Sequence, residues 1–155
     1  MNPENIKPLR PPRLKPGDTI GIAAPAGPFE IAKFERGLAA IKDMGFEVLV
    51  PDNLQQPENY LAAPDAWRAS VLNDLFRLSE VKGIICARGG YGSMRILDLI
   101  DYDLLQDHPK IFLGFSDISA LISAITTQSR LVAFHGPNIT TLGKTSSLTK
   151  TSFYH

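Results

Sequence analysis

The sequence predicts a doubly wound, mostly parallel α/β sheet with helices on both faces. Three observations carry that expectation. Short apolar runs alternate along the chain with segments of helical periodicity. The runs themselves (TIGIAA, VKGIIC, KIFLGF) are continuously apolar rather than alternating, as strands buried on both faces are. Several runs end in Gly- or Pro-rich punctuation, which places loops at the carboxyl ends of the strands.

Taken in order, residues 2–17 carry prolines at 3, 8, 11, 12 and 16 and read as an extended arm, 1–17, without regular structure. Thr19–Ala24 is the first strand, closed by Pro25-Ala26-Gly27-Pro28. From Phe29 to Met44, Ile31, Phe34, Leu38 and Ile41 recur at steps of three and four and mark one face of a helix. Gly45 then supplies the left-handed residue after it. Glu47–Val50 is a short strand, and the polar stretch Asp52–Ala63 a loop. A second helix begins at Pro64-Asp65 with Asp65 as N-cap, its buried stripe formed by Trp67, Val71, Leu75 and Leu78. Val81–Cys86 is a strand, Arg88–Ser93 a glycine-dense loop, and Met94–Ile100 a helix. Lys110–Phe115 is a strand that runs directly into Ser116. Ile118, Leu121, Ile122 and Ile125 mark a helix from Asp117 to about Ser129, and Leu131–Phe134 is the last strand. Right-handed crossovers follow by default. The domain is expected to span 18–139. The Ser/Thr/Lys-rich stretch 140–155 reads as a linker or truncated tail.

Composition narrows the function. Of 155 residues, 44% are hydrophobic and 21% charged, enough for one globular core. The 16 basic and 16 acidic residues balance, which gives no support for a general nucleic-acid or membrane-surface binder. A single cysteine, Cys86, excludes an intrachain disulfide and reads as a buried small apolar residue. No apolar core of signal-peptide length opens the chain, and nothing approaches the roughly 20 apolar residues of a membrane span, so cytoplasm is the expected compartment. No two histidines have ligand spacing; no metal site and no cofactor is implied.

Three segments could carry chemistry. Gly114-Phe115-Ser116-Asp117 places a serine between a strand and a helix, the setting of a nucleophile elbow, although Ile118 stands where the usual pattern has glycine. From this tetrapeptide alone Ser116 reads first as an N-cap, for which serine is favoured, and only second as a nucleophile. Arg88-Gly89-Gly90-Tyr91-Gly92 can bring backbone N–H groups close to an anion, or can be a plain tight turn. It fits neither a Walker motif nor Gly-x-Gly-x-x-Gly. His135-Gly136-Pro137 puts a histidine on the same rim, as a base, a substrate contact or a structural residue.

Together, LKPGDTIGIAAPAGPF, ARGGYGSMRILDLIDYDLL, KIFLGFSDISALISAI and FHGP, in this order across Leu14–Pro137, resemble the LD-carboxypeptidases. The resemblance implies a flavodoxin-like or class I glutamine amidotransferase-like N-terminal domain of a cytoplasmic serine peptidase with a Ser-Glu-His triad. Such enzymes remove the terminal D-alanine from murein tetrapeptides, and relatives hydrolyse peptidyl-nucleotide antibiotics. It aligns the nucleophile with Ser116 and the oxyanion donors with the backbone N–H groups of Asp117 and Gly90. Gly89, Tyr91 and His135 are substrate-binding candidates. Arg88 could meet a substrate carboxylate or hold the loop through backbone carbonyls. The family's Glu and His belong to a C-terminal domain, and no residue here maps onto either, so the resemblance implies a chain inactive by itself. Implied partners are the murein peptide, the C-terminal domain of the same protein and, as family members are often dimers, a second copy. A non-catalytic peptide- or nucleotide-binding module is the competing reading.

Overall fold

The computed structural model describes residues 7–144; the tail expected beyond 144 lies outside them. Five parallel strands form the sheet: β1 (Thr19–Ala23), β2 (Glu47–Leu49), β3 (Val81–Cys86), β4 (Ile111–Gly114) and β5 (Phe134–His135), in the order β2-β1-β3-β4-β5. This is the doubly wound arrangement, and its direction of winding reverses between β1 and β3, where such sheets open a crevice at their carboxyl ends. Ile20, Ile22, Val81, Ile84, Ile85 and Phe112 are buried in the sheet, which is why these strands read as unbroken apolar runs. Cys86 is buried among them, and burial pushes its thiol pKa up, away from reactivity.

The first helix, α1 (Ile31–Asp43), ends as its sequence predicts: Gly45 takes φ +85° and its N–H bonds the Lys42 carbonyl. Phe34 and Ile41 are buried, but Ile31, at the first position, is exposed. In its place Gly37 is sunk against α5 (Ile139–Leu142). A Cβ there would lie 2.0 Å from the Ile139 carbonyl oxygen, so the two helices meet backbone to side-chain-free backbone. Because Leu142 is buried in this contact, the compact domain passes through the boundary expected at 140. The N-terminal arm is also less free than its prolines suggest, since Leu9 pairs in parallel with Leu131 through two backbone hydrogen bonds of 2.9 Å.

The stripe expected on α2 (Asp65–Arg77) is rotated. Val71 and Leu75 are buried, but Trp67 and Leu78 are partly exposed, and Arg68, Ala69, Leu72 and Phe76 lie inside instead. Two reasons account for this. The helix packs against the sheet, against a 3₁₀ helix (Ser93–Leu99) and against α3 (Tyr102–Asp107), so more than one stripe is covered. The Trp67 indole N–H meanwhile finds the Asn53 carbonyl at 3.1 Å, and Leu78 is already extended. Asp65 is not the cap: Pro64 holds that position, and the Asp65 carboxylate faces Arg68 and Arg95. The helix expected over Met94–Ile100 is the 3₁₀ segment just named, with Met94 exposed. α3 has no counterpart in the periodicity analysis; Asp101 caps it by accepting from the Leu104 N–H at 3.0 Å.

After β4 a helix runs from Ser116 to Ser129, beginning as 3₁₀ (Ser116–Ile118), continuing as α4 (Ser119–Ala124) and widening to a π turn (Ile125–Ser129). Ile118, Leu121 and Ile125 are buried, as expected. Among the described residues no helix is long and apolar enough to cross a membrane.

At the amino ends of the strands Lys110 is buried, its ammonium donating to the Leu75 carbonyl at 3.0 Å and to that of Leu78. Burial, then the charge of Lys82, pushes its pKa from 10.5 down to about 8, with Glu80 opposing. The folded protein thus holds this proton less tightly than the unfolded chain. The destabilisation is complete below pH 8 and fades as pH rises toward 10.5. The stability of the wild type relative to Lys110→Met is expected to rise across that window. Urea unfolding of both proteins at a series of pH values checks it.

Candidate functional site

The carboxyl ends of β1, β3 and β4 carry the loops that the sequence singles out, and the fold brings them together. Ser116 is exposed on the rim and takes φ +66°, a left-handed backbone conformation that costs a non-glycine residue about 1–3 kcal/mol. An ordinary N-cap serine is extended. Here Phe115 (φ −153°) occupies the N-cap position, and no side-chain cap is made. The strand-to-helix turn therefore holds Ser116 in a strained conformation, as an elbow does, with the residue exposed.

The strain is held by neighbours on both sides. Asn138, almost wholly buried, accepts from the Phe115 N–H at 3.2 Å and donates its amide to the Phe115 carbonyl at 3.4 Å. Gly114 leaves room for this clamp: a Cβ there would meet Ile118 at 2.6 Å and the Asn138 side-chain oxygen at 3.2 Å. On the other side Gly89 lies against the serine itself, with its virtual Cβ 2.9 Å from Ser116 Cβ and 3.2 Å from Ser116 Oγ. A backbone approach this close requires the absence of a side chain.

The Gly-rich loop is fixed at several points. Gly27 donates its N–H to the Gly89 carbonyl at 3.1 Å. In a trans peptide the next N–H points the opposite way, so the Gly90 N–H is turned away from Gly27. Gly90 itself has φ +110°, open to glycine and strained for other residues. At the far end Ser93 donates its N–H to the Asp117 carboxylate at 2.9 Å and its hydroxyl to the Asp117 carbonyl at 2.5 Å. The Asp117 side chain thus ties the elbow to the loop. Arg88 donates to the Pro28 carbonyl at 2.7 Å. Of its two sequence readings, the structure shows the one that holds the loop.

Tyr91 is exposed and sets its ring edge-on to Tyr60 at 5.3 Å. His135 ends β5 opposite Gly114, exposed, with its ring edge-on to Phe115 at 6.2 Å. Phe115, His135, Gly136, Pro137 and Thr141 line an open depression of about 270 Å³ beside the elbow. All the sequence-predicted residues, Gly89, Gly90, Tyr91, Ser116, Asp117 and His135, therefore share one rim. Among the described residues no group of three or more His, Cys, Asp or Glu could hold a metal ion.

Two side chains of this rim escape the motif analysis. Asn138 gives no signal beyond being a polar residue ahead of an apolar one. Arg68 does give one: with Leu72, Leu75 and Phe76 it falls on the buried face of α2, where a charge is out of place.

Comparison with known proteins finds relatives over most of the chain. The family described as LD-carboxypeptidase N-terminal domain matches residues 20–136. The probable murein peptide carboxypeptidase of Bacillus subtilis is 41% identical over 147 residues, covering 93% of this chain and 46% of that protein. The microcin C7 self-immunity protein MccF of Escherichia coli is 30% identical over 133 residues, 84% of this chain and 39% of its own length. Among solved structures, an MccF-like protein from Bacillus anthracis superposes with a TM-score of 0.89 at 30% identity, over 94% of this chain and 46% of that one. The chain spans about half the length of the curated relatives it matches, or less.

Proposed function

The chain belongs to the LD-carboxypeptidase N-terminal-domain family, and on that premise we propose that it is the nucleophile-bearing part of a serine peptidase that removes the terminal D-alanine from murein tetrapeptides. The observation that carries the reading is Ser116 at φ +66°, presented on a strand-to-helix turn and packed against side-chain-free Gly89.

In this reading Ser116 Oγ attacks the carbonyl carbon of the scissile amide. The oxyanion so formed takes hydrogen bonds from the backbone N–H groups of Gly90 and Asp117, each worth about 3 kcal/mol in comparable sites. The serine proton passes to a histidine, and from it to the departing D-alanine amine. Water then cleaves the acyl-enzyme ester and restores the hydroxyl. The resemblance assigns that histidine and its orienting glutamate to the C-terminal domain of the family. A serine without a positioned base is a poor nucleophile, so the 155 residues alone are expected to turn over negligibly. Gly89, Tyr91 and His135 line the approach to Ser116 and contact the peptide. The partners of the reaction are the murein peptide and that C-terminal domain.

A related substrate class is supported by the MccF likeness, since that protein has been seen in complex with aspartyl sulfamoyl adenosine. The deciding experiment measures, by mass spectrometry, D-alanine release from a murein tetrapeptide and cleavage of an aminoacyl sulfamoyl adenosine. Each substrate is offered to this chain and to the chain extended by the coding sequence downstream of it. D-alanine release by the extended chain alone supports the proposal. Nucleotide-conjugate cleavage without it moves the assignment to the second class, and activity toward neither leaves a non-catalytic binding module as the function.

A further inference from the structure

Arg68 is a guanidinium almost wholly withdrawn from water, and its donors reach three separate loops of the rim. Nε donates to the Ala63 carbonyl at 2.9 Å, ahead of α2. Nη1 donates to the Gly92 carbonyl at 3.0 Å, at the end of the Gly-rich loop, and to that of Pro25, after β1. Nη2 donates to the Asp65 carboxylate. That carboxylate is itself held by Arg95 on the 3₁₀ helix after the loop, at 2.8 to 3.1 Å. Arg95 first, and Arg68 after it, keep the Asp65 pKa below its ordinary value against the effect of burial, so the counter-charge persists. Gly92 admits the contact because it has no side chain: at φ +120°, a Cβ would lie 2.5 Å from Leu61 and 3.3 Å from Arg68 Nη1.

We propose that Arg68 is a positioning residue of the acyl-transfer site, which, by holding the carbonyls of Pro25, Ala63 and Gly92 together, fixes the Gly-rich loop against Ser116. The inference rests on the reading of Ser116 as nucleophile. Arg68 touches neither Ser116 nor the loop's N–H groups; it acts through the backbone. The loop is fastened through the Arg88 side chain, the Gly89 carbonyl, the Gly92 carbonyl and Ser93, and Arg68 donates to the third of these. Its planar fork addresses several acceptors in fixed directions, whereas a lysine ammonium on a flexible stem cannot span the same set. Displacing an oxyanion donor by about 1 Å costs roughly 100-fold in rate.

The test compares wild type, Arg68→Lys and Arg68→Met in the form of the protein that turns over. It measures kcat and KM for D-alanine release, thermal melting, and hydrogen exchange of residues 88–93. The expected result for Arg68→Lys is a folded protein whose kcat falls about 100-fold. Its KM should change little, and exchange should quicken in the Gly-rich loop ahead of the rest of the sheet. An unchanged kcat, or a rate lost only in proportion to the fraction folded, overturns the inference. If the wild type turns over neither the murein tetrapeptide nor an aminoacyl sulfamoyl adenosine, the nucleophile reading fails by itself. Loop exchange then still decides on Arg68, because unaltered exchange at 88–93 in both variants shows that the loop does not depend on it.

Discussion

Ser116→Ala is expected to lower D-alanine release by about 10⁴-fold or more, with peptide binding retained, because loss of a nucleophile removes the covalent route and leaves only the oxyanion donors. The same position offers a second readout. Ser116 sits at φ +66°, and alanine inherits the strain while glycine does not. Ser116→Gly is therefore expected to be as inactive as Ser116→Ala yet more stable than it by about 1 kcal/mol, the lower end of the cost of a left-handed non-glycine residue. Chemical denaturation of the two variants measures this. Retained D-alanine release in either variant contradicts the nucleophile reading, and a pair of variants with equal stability contradicts the strained-elbow account.

The next largest effect is expected at Gly89. Its backbone is not in the left-handed region, so the demand for glycine is purely steric. An added methyl would lie 2.9 Å from Ser116 Cβ, 3.1 Å from the Phe115 carbonyl oxygen and 3.2 Å from Ser116 Oγ. The two nearest of these atoms are fixed by the backbone, and only Ser116 Oγ could swing aside. Phe115 is clamped by Asn138, and the loop is fastened to Gly27, Arg68 and Asp117. Elbow and loop must therefore part. Gly89→Ala is expected to fold with a stability loss of about 1–3 kcal/mol, the usual cost of overpacking. Its kcat should fall about 100-fold, the scale of a displacement near 1 Å at the reacting atoms. Steady-state kinetics beside a melting curve separates the two effects. A variant with normal kcat would mean that the loop yields without moving any group the reaction uses.

How much of the site could be read beforehand depends on the distance along the chain between the residues that make it. Gly114-Phe115-Ser116 is legible as a candidate elbow because strand, turn and helix are adjacent in the chain. The Gly-rich loop is legible for the same reason. The clamps are not: Asn138 acts on Phe115 across 23 residues, Ser93 meets Asp117 across 24, and Arg68 meets Pro25 across 43. No local pattern records such pairings. The misread positions follow from the same limit. Trp67, Leu78 and Ile31 are apolar at helical spacing, yet they fall where α2 turns outward or a helix begins or ends, and burial there is decided by what packs alongside.

By itself the sequence determined the parallel α/β class, the order of its strands and of the helices other than α3 and α5, the strand-to-helix junction that carries Ser116, the glycine-dense loop and the family, because each is written in residues close together or in motif order. Tertiary structure alone decided that Ser116 is strained, that Gly89 is pressed against it, and that a buried arginine binds three loops into one rim. These properties arise from contacts between segments brought together only when the sheet forms. A buried charge such as Arg68 is tolerable only with its partners already in place. Its identity as a fastening is thus a property of the folded rim and not of the helix that carries it.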